Sequence, residues 1–409
     1  MNQTEDISVK STANGEHTAI MVIHGIGEQV PFETLDMFTR GILASLNDRA
    51  KSQETRTYSP AHRQRTCTIP GTSESWLENC ISLDAGNSPR IDIYEYYWAH
   101  EMTRQVTVKD IVQWMKDISS YARKYYGENP KKDVEERCKE EPRLKNLFEP
   151  SGQFHESGYL RMMGPGVRLL LFVLEILESA ALRSWPLIQW VFNFLMARAK
   201  KVLINYIGDV VAYTATDRKA YLFKVRQSIL QNSRLMLESI LKNDEYGSVI
   251  VASHSLGTVV GYDTLNRIHK LPKKEPYFDK IKGFITFGSP LDKIAFYFRE
   301  HITKDAKIRL QMINNLHSFK KVEMKYPGID IDASDPLKVV DNTSNNLKNV
   351  KWINFFDRND PVSGNLDLYN VDENHKLDMD KPFGLTHIKY WEHPPMYKKI
   401  LNFFSSDLS

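Results

Sequence analysis

The stretch from Tyr246 to Asp263, YGSVIVASHSLGTVVGYD, admits few folds, because a run suited to a buried strand passes through one tight turn into a run suited to a helix. Val249, Ile250 and Val251 are consecutive and β-branched, as in a strand covered on both faces, and Thr258 to Tyr262 continue at helical spacing. The turn between them reads Ser253-His254-Ser255-Leu256-Gly257. Ser255 therefore falls at a strand-to-helix junction, with a small residue two positions before it and another two positions after. A hydroxyl held there projects above the end of a parallel sheet. Serine at 253 tolerates a strained backbone less readily than glycine would. An ordinary strand followed by a Ser/Gly turn would give the same letters, so partners elsewhere in the chain must decide.

At 409 residues the chain can form one large α/β domain with insertions, or two domains. Residues 1–16 are polar and read as a flexible arm. Thr18 to Ile23 (TAIMVI) predicts a buried strand running into His24-Gly25-Ile26-Gly27, where glycines permit backbone angles that other residues resist. Phe32 to Leu46 carries apolar residues at helical spacing. Thr66 to Pro70, Cys80 to Leu83 and Arg90 to Trp98 predict short strands, the last of them central because of its β-branched and aromatic content. Ala220 to Leu241 predicts a long amphipathic helix, Ile281 to Phe287 and Lys351 to Phe356 two further strands, and Pro395 to Phe404 a final helix. The organisation expected is an arm at 1–16, an α/β core from 17–100 and 218–409, and a helical insertion over 101–217.

Within that insertion, Val167 to Ala197 is the most apolar part of the chain. Arg168, Glu175, Glu178, Arg183 and the Trp185-Pro186 break leave neither half with the ~20 uninterrupted apolar residues a bilayer span needs. Trp185, Trp190, Phe192 and Phe194 precede Arg198, Lys200 and Lys201, an order suited to peripheral membrane contact through 165–201, or to a buried cap or dimer contact. A net charge of +3 from 54 basic and 51 acidic side chains supplies no global field for nucleic acid. Cys67, Cys80 and Cys138 are odd in number and lack metal-ligand spacing, and no apolar signal precedes His17, which together suggest a reducing, cytoplasmic setting.

The pentapeptide SHSLG resembles the GxSxG nucleophile elbow of the α/β-hydrolase fold, with serine for the first glycine. Serine is a weak nucleophile at neutral pH and needs a base, which in turn needs an orienting acid. In that fold the order is Ser, then Asp or Glu after a later strand, then a late His. Ser255, Asp360 and His387 follow it, with Asp357 the rival acid and His375 and His393 the other late histidines. The HGxG turn offers the backbone amide of Ile26 to an oxyanion and the elbow offers that of Leu256. His24 reads as structural, holding the oxyanion loop. His254 is expected to point away from the site and has no catalytic role in this reading.

HGIG, SHSLG, DPV and a late histidine together resemble the α/β-hydrolase serine lipases and esterases over about 17–100 and 218–405. HSLGTVVGYD, FGSPL, DPV and HIKYW are locally similar to the intracellular phospholipase A1 proteins that carry a DDHD domain. The resemblance implies a three-layer α/β-hydrolase fold. Its mostly parallel central sheet would carry a large helical insertion between the strand near 90–98 and the elbow strand. It also implies hydrolysis of carboxylic, lipid acyl esters without metal or organic cofactor. A soluble carboxylesterase or thioesterase with the insertion as lid, and a non-catalytic scaffold that binds a membrane or protein partner, are the alternatives.

Overall fold

The computed structural model describes residues 15–25, 30–68, 75–86, 89–102, 221–292, 294, 307–321, 346–357, 359–360, 362–380 and 386–408. The insertion expected over 101–217, apart from 101–102, with its 165–201 segment, and nearly all of the N-terminal arm expected at 1–16 lie outside these residues. Eight strands form one sheet in the order β2-β3-β4-β1-β5-β6-β7-β8. They are β1 (His17–Ile23), β2 (Ser59–Thr68), β3 (Ser75–Asp84), β4 (Ile91–Tyr96), β5 (Tyr246–His254), β6 (Ile281–Phe287), β7 (Lys351–Asp357) and β8 (Glu373–Leu377). From β4 to β8 every neighbouring pair is parallel, whereas β2 and β3 form an antiparallel hairpin on the β4 edge. The chain is thus an α/β protein with a mostly parallel sheet, to which both halves of the sequence contribute strands.

The helices follow the strands as α1 (Glu33–Ser52), α2 (Tyr221–Leu241), α3 (Gly257–His269), α4 (Lys307–Leu316) and α5 (Pro394–Phe403). Period-two alternation divides the core into two layers. Ile20 and Val22 of β1 pack with Leu35, Phe38 and Ile42 of α1 and with Tyr397 and Ile400 of α5. Ala19, Met21 and Ile23 face the opposite way, into Ile229 and Leu237 of α2 and Val260 and Leu265 of α3.

Two differences from expectation concern the sheet edges. The strands expected at 66–70 and 80–83 are only the ends of a ten-residue pair, β2 and β3, since most β2 side chains are exposed and carry no hydrophobic signal. β8 and α4 had no predicted counterpart. β8 is an edge strand whose sequence ENHKL buries only Leu377, and polar edge strands carry no alternation to read.

Topology also places the site. The loop leaving β1 leads to α1 on one face, while the loop leaving its neighbour β5 leads to α3 on the other. The two loops leave the carboxyl ends of adjacent parallel strands for opposite faces, the position at which such sheets bind ligands.

Candidate active site

Backbone strain in the turn after β5 falls on Ser255, whose φ of 52° is left-handed. A non-glycine residue held there stores about 1–3 kcal/mol, tolerated only where the surroundings over-determine it. They do so here. The Ser255 N–H donates to the Phe287 carbonyl at 3.1 Å, and the Ser255 carbonyl accepts from the amide and hydroxyl of Thr258 at 3.0 and 2.7 Å. Ser253, by contrast, is a regular strand residue paired with Ile23 and Thr286, so the expected backbone strain at this position is absent. Space makes it small: a Cβ added to Gly261 of α3 would lie 2.5 Å from Ser253 Oγ. One added to Gly257 would lie 2.2 Å from the His24 carbonyl oxygen.

The three predicted catalytic side chains converge. Ser255 Oγ lies 2.8 Å from His387 Nε2, and His387 Nδ1 lies 2.9 Å from Asp360 Oδ2. Nδ1–H donates to the carboxylate, leaving Nε2 to accept the serine proton. All three are buried, Asp360 completely. Asp360 follows β7, and its Oδ1 accepts the Val362 amide at 2.8 Å. Its Oδ2 accepts the Tyr390 hydroxyl at 2.9 Å as well as the His387 ring. Burial pushes the Asp360 carboxyl upward, but the hydrogen bond and charge of His387, with the Val362 amide and the Ser363 hydroxyl, outweigh it and hold the group well below the usual carboxylate range.

Asp357 points elsewhere: its oxygens accept the amides of Asn359 at 2.7 Å and Met379 at 2.8 Å. Of the other late histidines, His375 bonds Glu373 on β8 at 3.0 Å, and His393 stands at the N-cap position of α5 without a side-chain capping bond. Pro361 of the DPV motif is not among the described residues.

The loop after β1 closes on the nucleophile. A Cβ added to Gly25 would sit 2.7 Å from Ser255 Cβ, and the glycine has no left-handed φ. Gly25 is therefore required for close approach, not for unusual backbone angles as the HGIG pattern suggests. His24 anchors this loop. Its Nε2 accepts the Trp98 amide at 3.0 Å, its carbonyl accepts the Trp98 indole N–H at 3.0 Å, and its Nδ1–H donates to the Gly25 carbonyl at 2.6 Å. The His24 and Trp98 rings stack at 5.0 Å and 5°. Burial lowers the His24 pKa to about 4, so the ring is neutral. The Leu256 amide follows the nucleophile directly and has no acceptor among the described residues. Ile26 lies outside them.

Sequence reasoning missed two residues. Tyr390 donates to Asp360 and accepts the Asp357 amide at 3.1 Å, and it shares a hydrogen bond with Ser363 at 2.9 Å. Its position three residues after His387, on consecutive 3-10 turns, is the signal that could have found it. His254 does not point away. It contacts the ring of His387 and bonds its main chain, and it is buried beside the site. Period two gives a hint, because His254 must face the layer opposite Ser253.

The arrangement has the parts that nucleophilic acyl transfer requires. It has a strained, buried serine, an imidazole in contact with it, and an ionised carboxylate behind the imidazole. Groups of three or more His, Cys, Asp or Glu placed to hold a metal do not occur among the described residues. Comparison of the chain with protein-family models, curated proteins and solved structures found no match.

Proposed function

We propose that the chain is a serine hydrolase of the α/β-hydrolase type that cleaves carboxylic esters. The observation that supports this most is the relay from Ser255 Oγ through both nitrogens of His387 to Asp360, at 2.8 and 2.9 Å, at the sheet's switch point. Ser255 Oγ attacks the acyl carbon as its proton passes to His387 Nε2, and the carbonyl electron pair moves onto oxygen. Collapse of this tetrahedral species expels the alcohol, which takes the proton from Nε2 and leaves the acyl group on Ser255. A water then surrenders its proton to the same nitrogen and attacks the acyl carbon, and collapse of this second tetrahedral species breaks the bond to Ser255 Oγ, which takes the proton back from Nε2 as the acid leaves. Asp360 stays ionised throughout and stabilises the imidazolium formed in each half-reaction. The amides of Leu256 and Ile26 take the oxyanion in this reading, each contributing about 3 kcal/mol to the transition state.

Lipid acyl esters are the proposed substrate class, supported by the likeness to DDHD-type phospholipase motifs and by the aromatic-then-basic run in 165–201. The enzyme would then be cytoplasmic and meet membranes peripherally. Among the described residues no helix is long and apolar enough to cross a membrane.

Labelling by a fluorophosphonate tests the chemistry. The native chain should react and Ser255→Ala should not, while both keep the same circular dichroism. A folded native chain that does not react would overturn the assignment. Hydrolysis of p-nitrophenyl esters of increasing chain length tests the substrate class, and activity confined to short esters would refute the lipid reading.

A further inference from the structure

His387 lies outside the regular sheet, in the one-turn 3-10 segment Thr386–Ile388 beyond β8. A ring held only through Asp360 could swing about that bond and lose Ser255. Its main chain, however, is tied to the elbow. His254 Nε2 lies 2.9 Å from the His387 carbonyl oxygen, and because a carbonyl only accepts, that nitrogen carries the proton. His254 is the last residue of β5 and the immediate neighbour of Ser255. Base and nucleophile are therefore joined twice, once by the catalytic hydrogen bond at 2.8 Å and once through the preceding residue at 2.9 Å.

The surroundings leave the His254 ring little freedom. It stacks on Phe287 at 5.2 Å and packs against His387 at 4.9 Å and Trp391 at 5.1 Å between ring centroids. Gly288, at a φ of 63°, makes room for both imidazoles, since a Cβ there would lie 3.1 Å from His254 Nε2 and 3.2 Å from His387 Cε1. On the other side, a Cβ at Gly25 would lie 3.2 Å from His254 Nδ1. Burial lowers the His254 pKa to about 3, so the ring is uncharged and adds no repulsion to the imidazolium that forms on His387.

We propose that His254 is a positioning residue whose Nε2–H fixes the main chain of His387, keeping the imidazole within reach of Ser255. The kinetic consequence rests on the hydrolase reading, whereas the geometric one does not. His254→Phe keeps the ring volume without the donor, and His254→Leu is a second donor-free variant should the first overpack. His254→Gln restores an N–H at similar reach. With p-nitrophenyl butyrate, kcat and the phosphonate labelling rate should fall roughly 10- to 100-fold in the donor-free variants, with KM little changed. Glutamine should recover most of that loss at a matching Tm. If activity merely follows Tm, or glutamine rescues nothing, the role is structural and the inference fails.

Proton NMR of histidine-labelled protein gives a readout free of activity. The downfield Nδ1–H of His387, shared with Asp360, should persist in the native chain and in His254→Gln, and broaden in the donor-free variants. An identical signal in all of them overturns the positioning role even if the protein is inert. A native chain that is inert toward phosphonate, yet shows the expected broadening in the variants, refutes the hydrolase reading alone and supports the positioning of His387.

Discussion

Replacing Gly25 with alanine should disable the nucleophile without removing any polar group. The added methyl would lie 2.7 Å from Ser255 Cβ, where ordinary contact begins at 3.4 Å, so one side must retreat by about 0.7 Å. Both sides are held: His24 by two hydrogen bonds of 3.0 Å to Trp98 and by stacking on its indole, and Ser255 by the Phe287 carbonyl and Thr258. Any share of that retreat that Ser255 takes away from the imidazole lengthens the 2.8 Å contact with His387 Nε2, and the whole of it would bring the contact to about 3.5 Å, the edge of hydrogen bonding. Misplacement on this scale costs about 100-fold in rate, and overpacking costs about 1–3 kcal/mol of stability. The assay is the second-order rate constant for phosphonate labelling at 25 °C, with thermal unfolding in parallel. A folded Gly25→Ala that labels at the native rate would refute the close-packed geometry of the loop and the elbow.

Two further outcomes follow from the polar groups. Asp360→Asn should lower kcat by about 1,000- to 10,000-fold through loss of the imidazole's correct tautomer. Asp357→Asn should mainly cost stability, because an amide cannot accept both the Asn359 and Met379 amides, and the unpaired group costs about 1–3 kcal/mol. Steady-state kinetics beside urea unfolding separates them, and a larger kcat loss at 357 than at 360 would reverse the assignment. Acid should also destabilise the fold earlier than carboxylate titration alone would. His24 and His254 fall from 6.5 to about 4 and about 3 on folding, so below pH ~6.5 the unfolded chain binds protons that the folded chain refuses. Stability contributed above that pH is lost as pH falls toward those values, by about 1.4 kcal/mol per pH unit for each histidine. Urea midpoints at pH 7.5, 6.0 and 5.0 measure it, and a flat profile would contradict the buried neutral rings.

What the sequence discloses about this fold depends on how many faces of an element are buried. β1, β5 and β6 sit inside the sheet with helices on both sides, and their consecutive apolar residues mark them almost to the residue. β2 pairs on one edge only and exposes Pro60, His62 and Arg63, so a strand of ten residues leaves barely a trace in its composition. β8 at the other edge behaves alike. The elbow is legible because Ser255 must be flanked by small residues on a strand-to-helix turn, and chain order then selects Asp360 and His387. It could not separate Asp360 from Asp357, since Asp357 ends β7 and Asp360 comes three residues later, and only their hydrogen-bond partners tell them apart.

The glycines show why the remainder was hidden. Read locally, a glycine suggests freedom of φ, and Gly288 uses it. Gly25, Gly257 and Gly261 instead mark places where another element comes too near for a side chain: Ser255, the His24 carbonyl and the Ser253 hydroxyl. A one-dimensional pattern records that something approaches but not what. The same holds for His254 and Tyr390, which lie inside SHSLG and HIKYW, yet the motifs do not say that their side chains reach His387 and Asp360. Short-range order therefore discloses the strand-to-helix turn that carries Ser255. Tyr390 and the glycines that admit close approach are set by long-range packing, and in the hydrolase reading Gly25→Ala, which leaves SHSLG, Asp360 and His387 intact, is expected to silence the site.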